Sequence, residues 1–282
     1  MVQLKHIELN KFNAPENVKT SQIFPIINMN ADNDNTINII PLDLDLLNPN
    51  PRNYMDPNQG GSKIFIIGKP GSGKSTLIKA LFYNKSQIIP VALAMSGTES
   101  ETGFYKEFIP DAYIFDEYDP EALSNCIVRQ KGARQHMLCP WTMLIVDDCM
   151  DDPSVFNKPP QPGLFKNGRH WKMLYIVSLQ YALDVKPHIR SNIDGVFIFR
   201  ESNVAIRKRL YENYAGIIPS FNLFEQIMDT ITGDYTALYI QNATNTNDWK
   251  ECVFYYKAPL IDNFKFGCQE YRGYSDKILT RK

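Results

Sequence analysis

The chain has 282 residues with 44% hydrophobic content, enough for one large α/β domain with extensions or two small ones. Thirty basic residues against thirty-one acidic ones leave a net charge of −1, which excludes a global field drawing in nucleic acid, so any DNA contact is local or shared by several subunits. Five cysteines without C-x-x-C spacing (Cys126, Cys139, Cys149, Cys252, Cys268) and four histidines without ligand spacing exclude a disulfide framework and a zinc site and point to a reducing compartment.

In chain order, residues 1–8 lack an uninterrupted apolar stretch of the signal-peptide kind, and no run reaches the ~18 residues of a membrane span, so a soluble, unsecreted chain is expected. Residues 1–60 read as an N-terminal extension: 28–61 are heavy in Asn, Asp and Pro, and Ile37-Asn38-Ile39-Ile40 is the one strand signal. A catalytic domain at 61–282 then opens with the apolar strand Lys63-Ile64-Phe65-Ile66-Ile67. Strands are predicted at 88–94, 112–115, 141–146, 173–179 and 196–199, and helices at 120–130, 204–214 and 221–232. Residues 152–168 read as a Pro/Gly-rich loop, and 235–240 with 252–256 as a closing β-hairpin. Repeated strand and helix alternation predicts a parallel α/β sheet, with the continuous apolar runs at 141–146 and 173–179 buried in its middle.

Gly68-Lys69-Pro70-Gly71-Ser72-Gly73-Lys74-Ser75 fills every fixed position of G-x-x-x-x-G-K-[ST], with a strand running in and a helix running out. The spacing answers a polyanion. Glycines 68, 71 and 73 let the backbone turn tightly and converge its N–H groups, and the helix beginning near Lys74 aims its positive end at the same point. Lys74 is the counter-charge for the β- and γ-phosphates of ATP, the Ser75 hydroxyl a ligand for Mg²⁺, and Ser72 and Thr76 complete the lining.

The strand Leu144-Ile145-Val146 ends in Asp147-Asp148, the Walker B arrangement: a strand delivers one carboxylate, Asp147, to the metal, and the turn after it aims Asp148 at the water that attacks the γ-phosphate. Gln180 closes the next strand, where an amide senses the γ-phosphate.

The segments Gly68 to Thr76, Leu144-Ile145-Val146-Asp147-Asp148, Gly168-Arg169-His170 with Ser178-Leu179-Gln180, and Ile189-Arg190-Ser191-Asn192-Ile193-Asp194 resemble the poxvirus-type DNA-packaging ATPases of large DNA viruses and virophages, a branch of the FtsK-HerA superfamily. The resemblance covers roughly residues 60 to 260. It implies a P-loop NTPase of the additional-strand, RecA-like class, with a mostly parallel sheet flanked by helices and Gln180 on a strand between the P-loop and Walker B strands. It implies an ATP- and Mg²⁺-dependent homo-oligomeric ring that drives double-stranded DNA into a preformed capsid, with capsid or portal proteins as partners. Its setting would be the viral assembly site in host cytoplasm or the virion.

It also implies an arginine reaching each site from the adjacent subunit, for which Arg169 is the first candidate and Arg190 the second. Cellular members commonly have Glu where this chain has Asp148. The alternatives are a P-loop phosphotransferase acting on a small molecule or nucleotide, and a nucleotide-dependent assembly protein. The cluster Arg207-Lys208-Arg209 is a weaker candidate for DNA phosphates, since it falls on a predicted helix where a solvated charged face is ordinary.

Overall fold

A computed structural model of the chain describes residues 24–27, 36–149, 153–181 and 185–280. The start of the chain and residues 28–35 of the predicted extension lie outside the described residues. Among the described residues ten strands form one sheet: β1 (Phe24–Ile27), β2 (Thr36–Pro41), β3 (Lys63–Ile67), β4 (Val91–Ser96), β5 (Ile114–Phe115), β6 (Thr142–Asp147), β7 (Met173–Leu179), β8 (Gly195–Ile198), β9 (Thr236–Gln241) and β10 (Val253–Lys257). Their order is β1-β2-β10-β9-β8-β3-β7-β6-β4-β5. The block from β8 to β5 is parallel throughout, and β9 joins it antiparallel, paired with β10 as the expected hairpin.

The central strands are apolar on both faces because each face is covered. Side chains alternate along β3, so Ile64 and Ile66 enter one core layer while Phe65 and Ile67 enter the other. The first layer packs on α1 (Lys74–Lys85) through Leu77, Ile78, Leu81 and Phe82. The second packs on α3 (Pro120–His136), α6 (Val204–Tyr214) and α7 (Phe221–Ile231), whose buried Leu223, Phe224, Ile227, Met228 and Ile231 follow the helical repeat.

Two segments differ from the sequence reading. The stretch expected as a loop carries a 3-10 turn (Pro153–Asn157) and α4 (Gln161–Asn167), which bury Phe156, Leu164 and Phe165 against Phe65. Tertiary burial of three large side chains outweighs the local Pro and Gly signal here. After the hairpin, α8 (Gln269–Leu279) returns to the sheet, where Tyr271 stacks on Tyr113 and donates its hydroxyl to the Ala92 carbonyl at 2.8 Å. Only Tyr271 and Ser275 of α8 are buried, so its sequence carries almost no apolar stripe. Two short helices also went unpredicted: α2 (Glu99–Thr102) and α5 (Pro187–Arg190).

Residues 36–60 are knit to this body. β2 runs parallel to β10, and Leu42, Leu44 and Leu47 are buried. The buried Lys85 ammonium donates to the carbonyls of Leu44 and Leu47 at 2.9 and 2.8 Å, and burial pulls its pKa down to about 8. The Trp141 indole N–H donates to Tyr54 O at 2.6 Å.

Candidate functional site

Parallel pairing brings the carboxyl ends of four strands to one edge. Ile67 pairs with Leu179, Asp147 with Ser178 and Ser96 with Asp147, and the Gly68 N–H continues the ladder to Leu179 O at 3.1 Å. The P-loop, the two acids and Gln180 therefore leave the sheet side by side.

The loop after β3 is shaped by its glycines. A β-carbon on Gly68 would meet Ser72 Oγ at 2.6 Å and Phe199 Cβ at 2.8 Å, so no larger residue fits. Gly73, at φ 108°, is the left-handed cap from which α1 starts. Lys74 folds back under the loop: its ammonium donates to Gly68 O at 2.6 Å and lies 3.5 Å from Asp148 Oδ2. Ser75 is exposed and Thr76 half-buried on the first turn of the helix, and the Ser72 hydroxyl oxygen is buried without a partner.

At the end of β6 the backbone turns through a left-handed Asp148 (φ 49°), with its N–H held by Ser178 O at 3.1 Å. That turn separates the two carboxylates. Asp147 stays in the sheet, buried, while Asp148 swings toward the loop and accepts from the Gln180 amide at 3.2 Å. Asp148 Oδ1 is buried and unpartnered. A lysine, a carboxylate and an amide thus meet through one oxygen of Asp148 while its second oxygen is left open.

Three neighbours of the site were not singled out in the sequence, and Tyr105 and Glu201 carried no signal there at all. The Tyr105 hydroxyl, fully buried, donates to Asp147 Oδ2 at 2.8 Å. Its own turn is anchored by the buried Glu99 carboxylate, which accepts the backbone N–H groups of Tyr105 and Lys106 at 3.0 Å each. Burial pushes the Asp147 carboxyl up from its ordinary value, and the Tyr105 hydrogen bond opposes that rise. Burial, with the Asp147 charge added, holds the Tyr105 phenol far above its usual range, so it remains a donor. The second and third are Lys69 and Glu201. The Lys69 ammonium on the P-loop sits 2.6 Å from Glu201 Oε1, which also accepts the Asn203 N–H at 2.8 Å. Cys149, beside the acids, has its thiol pushed up to about 12 by burial and by Asp147, which disfavours the thiolate.

The fold of this chain does not bring the two arginines to this edge. Arg169 stands in the turn before β7 and Arg190 at the end of α5, before β8, both at the amino-terminal edge of the sheet. There Arg169 pairs with Asp194 at 3.2 Å, and the Asp194 carboxylate also takes the Lys63 N–H at 2.8 Å and faces the Lys63 ammonium at 3.6 Å. Arg190 donates to Val185 O. Arg207 of the basic triplet is buried and held by Asp229, Glu225 and the Glu201 carbonyl, so it belongs to the packing of α6 on α7.

A glycine cradle at the end of β3, an acid pair at the end of β6 and a polar residue at the end of an inserted β7 define the P-loop NTPase fold of the additional-strand class. No protein-family model matches the chain. It belongs to a family of viral proteins that includes the uncharacterized protein 088R of invertebrate iridescent virus 3, with which it is 79% identical over 86% of this chain and 95% of that one. The uncharacterized protein 075L of invertebrate iridescent virus 6 is 51% identical over the same shares. Among solved structures, the genome packaging NTPase B204 of Sulfolobus turreted icosahedral virus 2 superposes with a TM-score of 0.51 in its sulfate complex, covering 74% of this chain and all of B204 at 18% identity. Its AMPPCP complex gives 0.50 over 73% of this chain, at 17% identity. No described helix is long and apolar enough to cross a membrane.

Proposed function

We propose that the chain is an ATP hydrolase that translocates double-stranded DNA and packages a viral genome into a preformed capsid. The observation that carries the reading is the meeting of Lys74 and Gln180 on one oxygen of Asp148, with the other oxygen buried and unpartnered at the mouth of the glycine cradle. Such an orphan acceptor costs free energy unless something arrives to use it, and a water poised against a γ-phosphate is the matching donor. Further support comes from the likeness in fold to B204, a genome packaging NTPase also seen with AMPPCP, and from membership of a viral family.

In this reading the backbone N–H groups of residues 68–76 and the Lys74 ammonium take the triphosphate. Lys74 then trades its contact with Asp148 for phosphate oxygens, which frees Asp148 to orient and deprotonate water. Gln180, hydrogen-bonded to that carboxylate, registers whether the γ-phosphate is present and passes the change into β7, between the P-loop and acid strands. The donor set fits a magnesium ion, which is usually held by one or two carboxylates together with substrate phosphates: Ser75 and Asp147 would hold it, and it would neutralise phosphate charge. Arg169, or in second place Arg190, would complete a neighbour's site in a homo-oligomeric ring. Capsid or portal proteins would be the ring's partners, at the cytoplasmic assembly site or in the virion.

The test is steady-state phosphate release with and without linear duplex DNA, beside a mass measurement in nucleotide. Duplex-stimulated turnover by an oligomer is expected. Transfer of phosphate to a small acceptor by a monomer or dimer would overturn the motor and favour a phosphotransferase. Ring formation in ATP without turnover would leave only an assembly role.

A further inference from the structure

The flank of the P-loop away from the acids carries a feature that the hydrolytic chemistry does not use. The chain enters β9 through a tight turn in which Asp234 and Tyr235 both take left-handed backbone (φ 48° and 58°), closed by Thr236 N–H donating to Gly233 O at 3.0 Å. Consecutive positive φ values are those of a type I′ turn, whose central positions favour Gly, Asn and Asp. A bulky tyrosine at the second of them is a backbone outlier. Burial does not compensate, because Tyr235 is 66% exposed. Asp234 also forms a solvent-exposed ion pair with Lys257 at the end of β10, while the Thr236 N–H to Gly233 O bond closes the turn.

The turn sets the ring against the cradle. A β-carbon built on Gly73 would lie 3.3 Å from Tyr235 Cβ and 3.6 Å from its Cδ1, with Phe199 Cε1 also at 3.3 Å. Gly73 caps α1, where the phosphates would sit. The acids end β6 and Gln180 follows β7 on one side of β3, whereas β8 and β9 lie on the other. A triphosphate whose γ end faces Asp148 therefore extends its ribose and base away from the acids, past Gly73, toward Tyr235.

We infer that Tyr235 is the platform on which the nucleobase of the bound triphosphate stacks, an inference that rests on the nucleotide reading above. A backbone conformation unfavourable to tyrosine, retained at an exposed position beside a ligand cradle, is the signature of strain kept for binding. Stacking uses the face of the base and not its edge, so the platform accepts any nucleobase.

The test compares AMPPCP with inorganic tripolyphosphate, which lacks a base, by calorimetry on the full chain. Tyr235→Gly suits the left-handed backbone and removes the ring, so it keeps the fold, checked by melting temperature. It is expected to bind AMPPCP about tenfold more weakly, equivalent to about 1.4 kcal/mol. Tripolyphosphate binding should stay unchanged, and Tyr235→Phe should match wild type for both ligands. Unaltered AMPPCP binding by Tyr235→Gly overturns the platform, and so does an equal loss for both ligands, which would mean a deformed cradle. Wild-type protein that binds tripolyphosphate as tightly as AMPPCP overturns the platform and leaves the cradle standing. Wild-type protein that binds neither overturns the nucleotide reading and the platform with it.

Discussion

The two edges of the sheet carry similar charges and use them differently. At the amino-terminal edge, the Asp194 carboxylate is consumed by the fold: it takes the Lys63 N–H and pairs with the Arg169 and Lys63 side chains. At the carboxyl-terminal edge, Asp148 has cationic and amide neighbours on one oxygen and none on the other, and the Ser72 hydroxyl nearby is also unsatisfied. A closed network stabilises and positions, whereas an open one is arranged for something that comes from outside. Charge alone does not mark a site; what sets this edge apart is unused buried hydrogen-bonding capacity on the loop and the acid together, whereas isolated unsatisfied atoms such as Gln161 Nε2 also occur elsewhere.

The comparison breaks most readily at Asp148. If the open oxygen handles the lytic water, Asp148→Asn keeps nucleotide binding and lowers turnover by about 10²–10⁴-fold, the usual worth of a general base. Wild-type phosphate release from this variant would remove the distinction between the edges. At the closed edge the opposite pattern is expected. Asp194→Ala strands the Lys63 ammonium, whose pKa burial already pulls down, and should cost about 3 kcal/mol in denaturant-melting stability. Unchanged stability would show that the pair is idle.

A smaller effect separates the two acids. Tyr105→Phe keeps the buried ring among Phe82, Phe104 and Phe108 but deletes the hydroxyl that orients Asp147. We expect the Mg²⁺ concentration for half-maximal turnover to rise about tenfold, the scale typical of outer-shell changes, with metal-free nucleotide binding unaltered. An unmoved magnesium curve would reduce Tyr105 to packing. The smallest effect belongs to Arg169, half-exposed in its ion pair: Arg169→Ala should cost under ~1 kcal/mol of stability. Turnover restored by mixing Arg169→Ala with Lys74→Ala subunits would show that the arginine works across an interface, and its absence in normally assembled mixtures would confine Arg169 to the closed network.

Much of this was legible beforehand because it is local. The cradle is a run of eight residues whose glycines dictate their own backbone, and the acids announce themselves at the end of an apolar strand. Gln180 was chosen by chain order alone, and the strand it follows, β7, does lie between β3 and β6. Tyr105 and Glu201 gave no signal, because one lies 42 residues from Asp147 and the other 132 from Lys69, and only the crossovers bring them in. Arg169 was chosen for its place before the Gln180 strand in a basic segment without acids and Arg190 for its motif, and neither signal says which edge of the sheet a side chain occupies.

By itself the sequence determined the fold class, the glycine-rich loop at the end of β3 and the acids at the end of β6, since backbone freedom and apolar runs act over a few neighbouring residues. Only the tertiary structure decided which oxygen of Asp148 is occupied, that a buried phenol holds Asp147, that α4 forms in a stretch rich in proline and glycine, and that Tyr235 faces the cradle. Those outcomes depend on strand order and on burial among residues far apart in the chain, and no local pattern encodes them.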